Sequence, residues 1–156
     1  AEPGHEGLPD AERALTPRGI ERTMMAARGL ARYIDRPQVI LTSPKTRAVQ
    51  TAAIVGDVLD LVPQRLEALA AETPEPIAAA LRERAEDEVL LVGHEPSMSR
   101  LVERLCGAGA GGGFIELKKA GAVMLEAPLR RDEGAGRGVL HWLLPPRALR
   151  MLANAE

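Results

Sequence analysis

Aromatic side chains are nearly absent from this chain. Its 156 residues include one Phe, one Tyr and one Trp. Proteins that bind single-stranded nucleic acid stack bases on aromatic side chains, and proteins that bind duplexes carry a basic stripe. Here the net charge is −2, and acidic and basic residues are interspersed. The sequence therefore argues against a nucleic-acid partner.

Cysteine and long apolar runs are also scarce. The single cysteine, Cys106, excludes an intrachain disulfide and is typical of a reducing compartment. It follows a helical pattern, and we expect a structural thiol there. No apolar run approaches the ~18 residues of a membrane span, and no signal-like region is found. These features predict a cytoplasmic protein without a membrane partner.

The rest of the composition is that of one globular domain. The chain is 46% hydrophobic and 27% charged, and its length suits a single domain over residues 1–156. It begins at Ala1 in the polar stretch "AEPGHEGLPDAE". Either a further segment precedes Ala1 or the domain begins in a loop.

Helical and strand patterns alternate along most of the chain. Helices are predicted over 15–34, 45–61, 73–85, 97–107 and 146–153. Strands are predicted over 38–43, weakly over 64–69, over 88–94, and as a pair over 114–129 and 136–146 joined by the charged turn 130–136. The runs "QVILTS" and "EVLLVGH" are too apolar to have a solvated face. The order predicts a three-layer α/β domain with a mostly parallel sheet.

Two predicted helices have a recognisable start and a repeating apolar face. Thr16 is a candidate N-cap with Pro17 at the first helical position, and Ser43-Pro44 is a second start of this kind. The predicted buried faces are Ile20, Met24, Ala27, Ala31 and Ile34 in the first helix, and Ala48, Ala52, Val55 and Leu59 in the second.

Two polar stretches follow buried strands, where ligands bind in such folds. They are "TSPKTR" (42–47) and "GHEPS" (93–97). Each opens a helix, whose free N–H groups and dipole favour an anion. Arg47 and His94 would meet above the sheet edge and suit a phosphoryl group, because Arg binds its oxygens bidentately. A solvated arginine and a hydrogen-bonded core histidine are the alternative readings.

The blocks "LTPRG", "VILTSPKTRAVQTAAIV" and "VLLVGHEPSMSRLV" together resemble the histidine phosphatase superfamily. The branch is that of the small, insert-free phosphohistidine phosphatases of the SixA type. The resemblance extends across the whole chain and implies a phosphoglycerate mutase-like fold with one C-terminal hairpin. It also implies that Arg47 and His94 surround the phosphoryl oxygens while another histidine carries a phosphohistidine intermediate. Neither a metal nor another cofactor is implied.

The family's first block, a strand that ends in Arg-His-Gly or Arg-His-Ala, is not found in residues 1–156. In the family the nucleophile precedes the Leu-Thr pair by about fifteen residues. Counting back from Leu15 predicts the histidine at, or a few residues before, Ala1. His5 follows Gly4 and no apolar strand, so we expect a surface loop residue there.

The remaining site residues are assigned less directly. The resemblance leaves the proton donor open, and Glu72 and Glu75 are candidates because their loop is expected to flank the pocket. Ser43 and Lys45 are candidates for the rim of the phosphate pocket. Glu95 is expected to serve as a first-turn charge at the helix after His94.

The sequence thus predicts a metal-independent phosphatase that releases inorganic phosphate. The expected substrate is phosphohistidine on a phosphorylated protein, such as a histidine phosphotransfer domain of a signalling relay. One alternative is an enzyme for small phosphomonoesters with the same centre. The other is a domain that binds phosphate or a phosphorylated partner without turnover, which would hold if the nucleophile were truly absent.

Overall fold

Three parallel strands form the sheet on which the candidate site is built. In the computed structural model, which describes residues 9–107, 113–129 and 138–155, these strands are β1 (Val39–Thr42), β2 (Gln64–Arg65) and β3 (Val89–Val92). Their order in the sheet is β2-β1-β3. A separate antiparallel pair is formed by β4 (Ala122–Glu126) and β5 (Val139–Leu144).

Five helices surround the strands in the part of the chain that the structure describes. They are α1 (Pro17–Ala31), α2 (Thr46–Leu59), α3 (Pro74–Arg82), α4 (Ser97–Leu105) and α5 (Pro146–Ala153), with 3₁₀ turns at Asp10–Glu12 and Glu67–Ala70. The Thr16 hydroxyl accepts from the N–H of Gly19, so the predicted N-cap of α1 is confirmed. None of the helices in the described ranges is both long and apolar enough to cross a membrane.

The alternating side chains of β1 divide the core into two layers. Val39 and Leu41 lie in a cluster with apolar residues of α3 and α4. Ile40 points the other way, into a cluster with residues of α1 and α2. Because a strand alternates its side chains between faces, this burial on both sides makes the predicted three-layer α/β arrangement.

The predicted buried face of α1 is wrong in part. Ile20 and Met24 are 38% and 39% exposed, whereas the buried residues of the helix are Thr23, Ala26, Ala27 and Gly29. The cause is the close approach of α5, since a Cβ at Gly29 would lie 1.8 Å from the carbonyl oxygen of Leu149. Small side chains therefore form the contact, and the larger ones lie beside it.

Other predicted boundaries also change. The predicted strand 64–69 is two residues long and continues into the 3₁₀ turn, and α2 begins at Thr46 and not directly after Ser43.

The segment 113–117 is not a strand. Glu103 of α4 accepts from the N–H groups of Gly113 and Ile115, in place of a neighbouring strand.

Strand β3 is half-buried along its length, although its sequence predicts a fully buried strand. Among the described residues its only strand partner is β1, so β3 lies at the sheet edge there. The predicted turn 130–136 lies outside the described residues, as does most of the glycine-rich stretch 107–113.

Candidate functional site

The carboxyl ends of β1 and β3 lie side by side. Thr42 is in register with Val92, and the N–H of Ser43 donates to the carbonyl oxygen of Val92 at 3.0 Å. Because the two strands are parallel and end at the same level, the turns that follow them share one edge of the sheet. The two predicted polar stretches therefore meet.

Ser43 and His94 are in direct contact at this edge. Nε2 of His94 lies 2.8 Å from Oγ of Ser43, and Ser43 is fully buried. The N–H of Lys45 donates to the same hydroxyl oxygen at 3.4 Å. Ser43, predicted at the pocket rim, thus lies under the imidazole and holds it.

The backbone of His94 is held by the first turn of α4. Its carbonyl oxygen accepts from the N–H of Met98 at 3.0 Å and from the hydroxyl of Ser97 at 2.9 Å. Glu95 accepts from the N–H and the hydroxyl of Ser99. Glu95 therefore caps the start of α4, close to the role predicted for it.

Arg47, in the first turn of α2, binds the carboxylate of Asp10 bidentately, through the fork formed by its two terminal nitrogens. Its Nη1 donates to Oδ1 at 3.1 Å and its Nη2 donates to Oδ2 at 3.0 Å. Nη1 also donates to the backbone oxygen of Asp10 at 2.6 Å. Lys45 Nζ lies 3.2 Å from Oδ2 of the same carboxylate. Two cations at the start of α2 thus converge on one anionic group.

The segment that carries Asp10 is tied to α2 at a second point. The N–H of Leu15 donates to the side-chain oxygen of Gln50 at 2.7 Å. Gln50 belongs to the same helix as Arg47, one turn further along. The Leu-Thr block and the Ser-Pro block of the sequence are therefore joined in space.

The electrostatic environment keeps His94 neutral. Burial, followed by the charges of Arg47 and Lys45, lowers the pKa of His94 from 6.5 to about 4, and the Asp10 carboxylate opposes this shift. Near pH 7 the site therefore holds a neutral imidazole beside two cations. Such a set can bind an oxyanion and hydrogen-bond to it without a third positive charge.

Asp10 was not singled out by the sequence, because an acid in a polar loop has no distinguishing pattern. Hydrogen bonds from Arg47 and Lys45 lower the pKa of Asp10 from 3.8 to about 2. The carboxylate is thus ionised throughout the physiological range. Its two oxygens accept from Arg47 and Lys45.

The two candidate proton donors are surface carboxylates. Both Glu72 and Glu75 are exposed, and Glu75 accepts from Nη1 of Arg104 at 3.0 Å. Hydrogen bonds to its own backbone and to Thr73 lower the pKa of Glu75. Within the described ranges neither carboxylate is hydrogen-bonded to Arg47 or His94, and their role as proton donors stays a prediction. His5 lies outside the described residues.

The sequence matches the profile of the histidine phosphatase superfamily (branch 1) over residues 4–74, which include the Arg47 block. An uncharacterized protein of Picosynechococcus sp. is 33% identical over 145 residues, covering 90% of this chain and 87% of that protein. Phosphohistidine phosphatase SixA of Escherichia coli is 29% identical over 149 residues, covering 91% and 87%.

Solved structures show the same relationship. A protein histidine phosphatase SixA complexed with tungstate superposes with a TM-score of 0.71 at 26% identity, covering 92% of this chain and 91% of that one. The predicted blocks, the fold and these relatives agree. The chain belongs to the histidine phosphatase superfamily, within its SixA-type branch.

Proposed function

We propose that this protein is a metal-independent phosphatase that removes the phosphoryl group from phosphohistidine on a signalling phosphotransfer protein. The observation that carries the proposal is the convergence of Arg47, Lys45 and a neutral His94 at one sheet edge. The E. coli relative is a phosphohistidine phosphatase, and the superposed SixA structure holds tungstate, an oxyanion.

In the proposed first step, an arginine fork and a lysine hold the phosphoryl oxygens while a histidine nitrogen attacks phosphorus. The N–P bond of the substrate breaks as the new N–P bond forms, and the leaving imidazole nitrogen takes up a proton. Water then attacks the phosphohistidine intermediate and releases inorganic phosphate. Arg47 and Lys45 stabilise the negative charge on the oxygens in both steps.

The attacking histidine is not His94 in this scheme. His94 is held by Ser43 through Nε2 and by α4 through its carbonyl oxygen, which suits a group that orients and hydrogen-bonds the phosphoryl oxygens. The family resemblance assigns the attack to the Arg-His-Gly or Arg-His-Ala block, whose histidine is predicted at, or a few residues before, Ala1. The edge of β3 that lies opposite β1 offers backbone groups with which such a strand could pair.

The proposed substrate is a protein side chain because the small, insert-free chain predicts a shallow pocket. The side chain of Asp10 is 55% exposed and that of Arg47 is 22% exposed, so a phosphorylated side chain on another protein's surface can reach them. A phosphohistidine on a phosphotransfer domain has this geometry. Such a side chain would contact Arg47 and Lys45 without a deep cleft of the kind that encloses a small phosphomonoester.

The experiment compares turnover of a phosphohistidine-bearing phosphotransfer protein with that of p-nitrophenyl phosphate and sugar phosphates. The protein used is the full-length gene product. We expect a higher kcat/KM for the phosphoprotein. A higher kcat/KM for a sugar phosphate would identify a small-molecule phosphatase.

The non-catalytic alternative has a separate outcome. If the full-length product binds the phosphotransfer protein but never releases inorganic phosphate from it, the domain is a binding module. The same neutral His94 and cation pair would then serve recognition alone.

A further inference from the structure

The carboxylate of Asp10 fills the place where two cations would hold an external anion. We propose that Asp10 is an internal competitor for the phosphoryl pocket, which an incoming phosphoryl group must displace, and that it thereby sets the pocket's selectivity among anions. The identity of the displacing anion rests on the proposed function. The contact itself is a property of the structure.

The geometry of the contact is that of anion recognition. Both terminal nitrogens of Arg47 face the two carboxylate oxygens of Asp10 at 3.0 and 3.1 Å. Lys45 adds a third charged contact at 3.2 Å, and Arg13 Nη1 lies 4.0 Å from Oδ1. A guanidinium fork presents the same two N–H donors to a carboxylate as to a phosphoryl group.

The two anions compete for the same end of the Arg47 guanidinium. A phosphoryl group that binds Nη1 and Nη2 together needs the donors that Asp10 occupies. If Asp10 stayed nearby, its charge would lie a few ångströms from the phosphoryl oxygens, where like charges repel even in a high dielectric. Binding thus exchanges one anion for another at the same donors.

Displacement of Asp10 requires little unpacking. Asp10 lies in a single 3₁₀ turn, Asp10–Glu12, in which no residue is buried. The hydrogen bonds from this segment to α2 include those from Arg47 and Lys45 to Asp10 and the bond from Leu15 to Gln50. The carboxylate can therefore swing away while Leu15 stays bound.

The exchange favours a phosphoryl group over singly charged anions. A phosphoryl dianion has three oxygens and more charge than the carboxylate that it replaces, so it gains contacts with Arg47 and Lys45. An acetate or chloride ion carries a single charge and gains nothing over Asp10, which is already tethered at high effective concentration. Asp10 consequently excludes weak anions from the pocket.

The test measures binding of inorganic phosphate by calorimetry to the full-length protein and to its variants Asp10→Asn and Asp10→Ala. We expect each variant to bind phosphate about tenfold more tightly, or tighter still, and to bind acetate and chloride measurably. The matched control is Asp57→Asn, which removes the same charge from an exposed position of α2. Its dissociation constant should stay within about twofold of the original.

Arg47→Ala and Arg47→Lys separate this inference from the proposed function. If both weaken phosphate binding but the Asp10 variants bind phosphate no more tightly than the original chain, Asp10 is not a competitor and the phosphate site stands. If the Arg47 variants leave phosphate binding unchanged, the site is not where we place it. Both proposals then fail together.

Discussion

Nε2 of His94 lies 2.8 Å from the hydroxyl of Ser43, a residue 51 positions earlier in the chain. This contact joins the end of β1 to the turn after β3 and sets the orientation of the imidazole. Since Ser43 is fully buried, the bond is shielded from water on one side. The imidazole therefore has one ring nitrogen, Nε2, hydrogen-bonded within the protein.

Replacing Ser43 with alanine should release the His94 ring. We expect a loss of about 1–3 kcal/mol in the free energy of unfolding, because a partly buried nitrogen loses its partner. The ¹⁵N shifts of His94 should also change from one dominant neutral tautomer to a mixture of both. The control is Ser97→Ala, which removes a bond to the carbonyl oxygen of His94 and not to the ring. An unchanged tautomer in Ser43→Ala would refute this positioning role.

Acidification should destabilise the protein through His94. The pKa of His94 is about 4 when folded, below its ordinary 6.5, so the unfolded chain binds more protons between these two values. The contribution of neutral His94 to the free energy of unfolding is therefore fully present above about pH 6.5 and is lost as the pH falls towards 4. Denaturation experiments between pH 4 and pH 7 measure how steeply the free energy of unfolding depends on pH. The comparison is with the variant His94→Gln. That variant should show a smaller slope, and an equal slope would contradict the assignment.

Removal of the charge-stabilising groups should abolish most turnover in the full-length protein. We expect Arg47→Ala and His94→Ala each to lower turnover by about a hundredfold or more, the scale for one preorganised group. Arg47→Lys keeps the charge but loses the fork, so its rate should lie between those of Arg47→Ala and the original protein. The control Arg147→Ala removes an exposed arginine on α5. Near-original rates for the Arg47 or His94 variants would overturn their roles.

Gly29→Ala should disrupt the contact between α1 and α5. The added Cβ would lie 1.8 Å from the carbonyl oxygen of Leu149, which is backbone and cannot rotate away. We expect a loss of about 3 kcal/mol or more, seen as a lower denaturation midpoint. Gly19→Ala in the same helix is the comparison, since its Cβ would approach Thr16 Oγ1 no closer than 3.2 Å. Equal stability of the two variants would show that α5 can move at no cost.

Glu103 should be required for the order of the segment after the glycine-rich stretch. Its buried carboxylate accepts from the N–H groups of Gly113 and Ile115, each at 2.8 Å. We expect Glu103→Ala to lower the free energy of unfolding by about 1–3 kcal/mol and to speed hydrogen exchange at Ile115. Glu83→Ala, which removes an exposed acid at the end of α3, should do neither. Slow exchange at Ile115 in Glu103→Ala would show that other contacts hold the segment.

Local patterns account for most of the helices and strands. Thr16 and Pro17 predicted the start of α1, and the spacing of Ala48, Ala52, Val55 and Leu59 predicted the buried face of α2. These features depend on residues within a few turns of each other, so a single sequence reveals them. The same locality explains why Arg47 and His94 could be singled out, because each follows an apolar strand at the start of a helix.

The contacts between distant segments could be read only from the tertiary structure. Gly29 is buried and Ile20 is exposed because α5 arrives where it does, more than a hundred residues later in the chain. Likewise, no spacing predicts that Ser43 supports His94 or that Asp10 fills the fork of Arg47. Periodicity tells which side of an element is apolar, whereas the partner of a polar group depends on which surfaces the whole chain brings together.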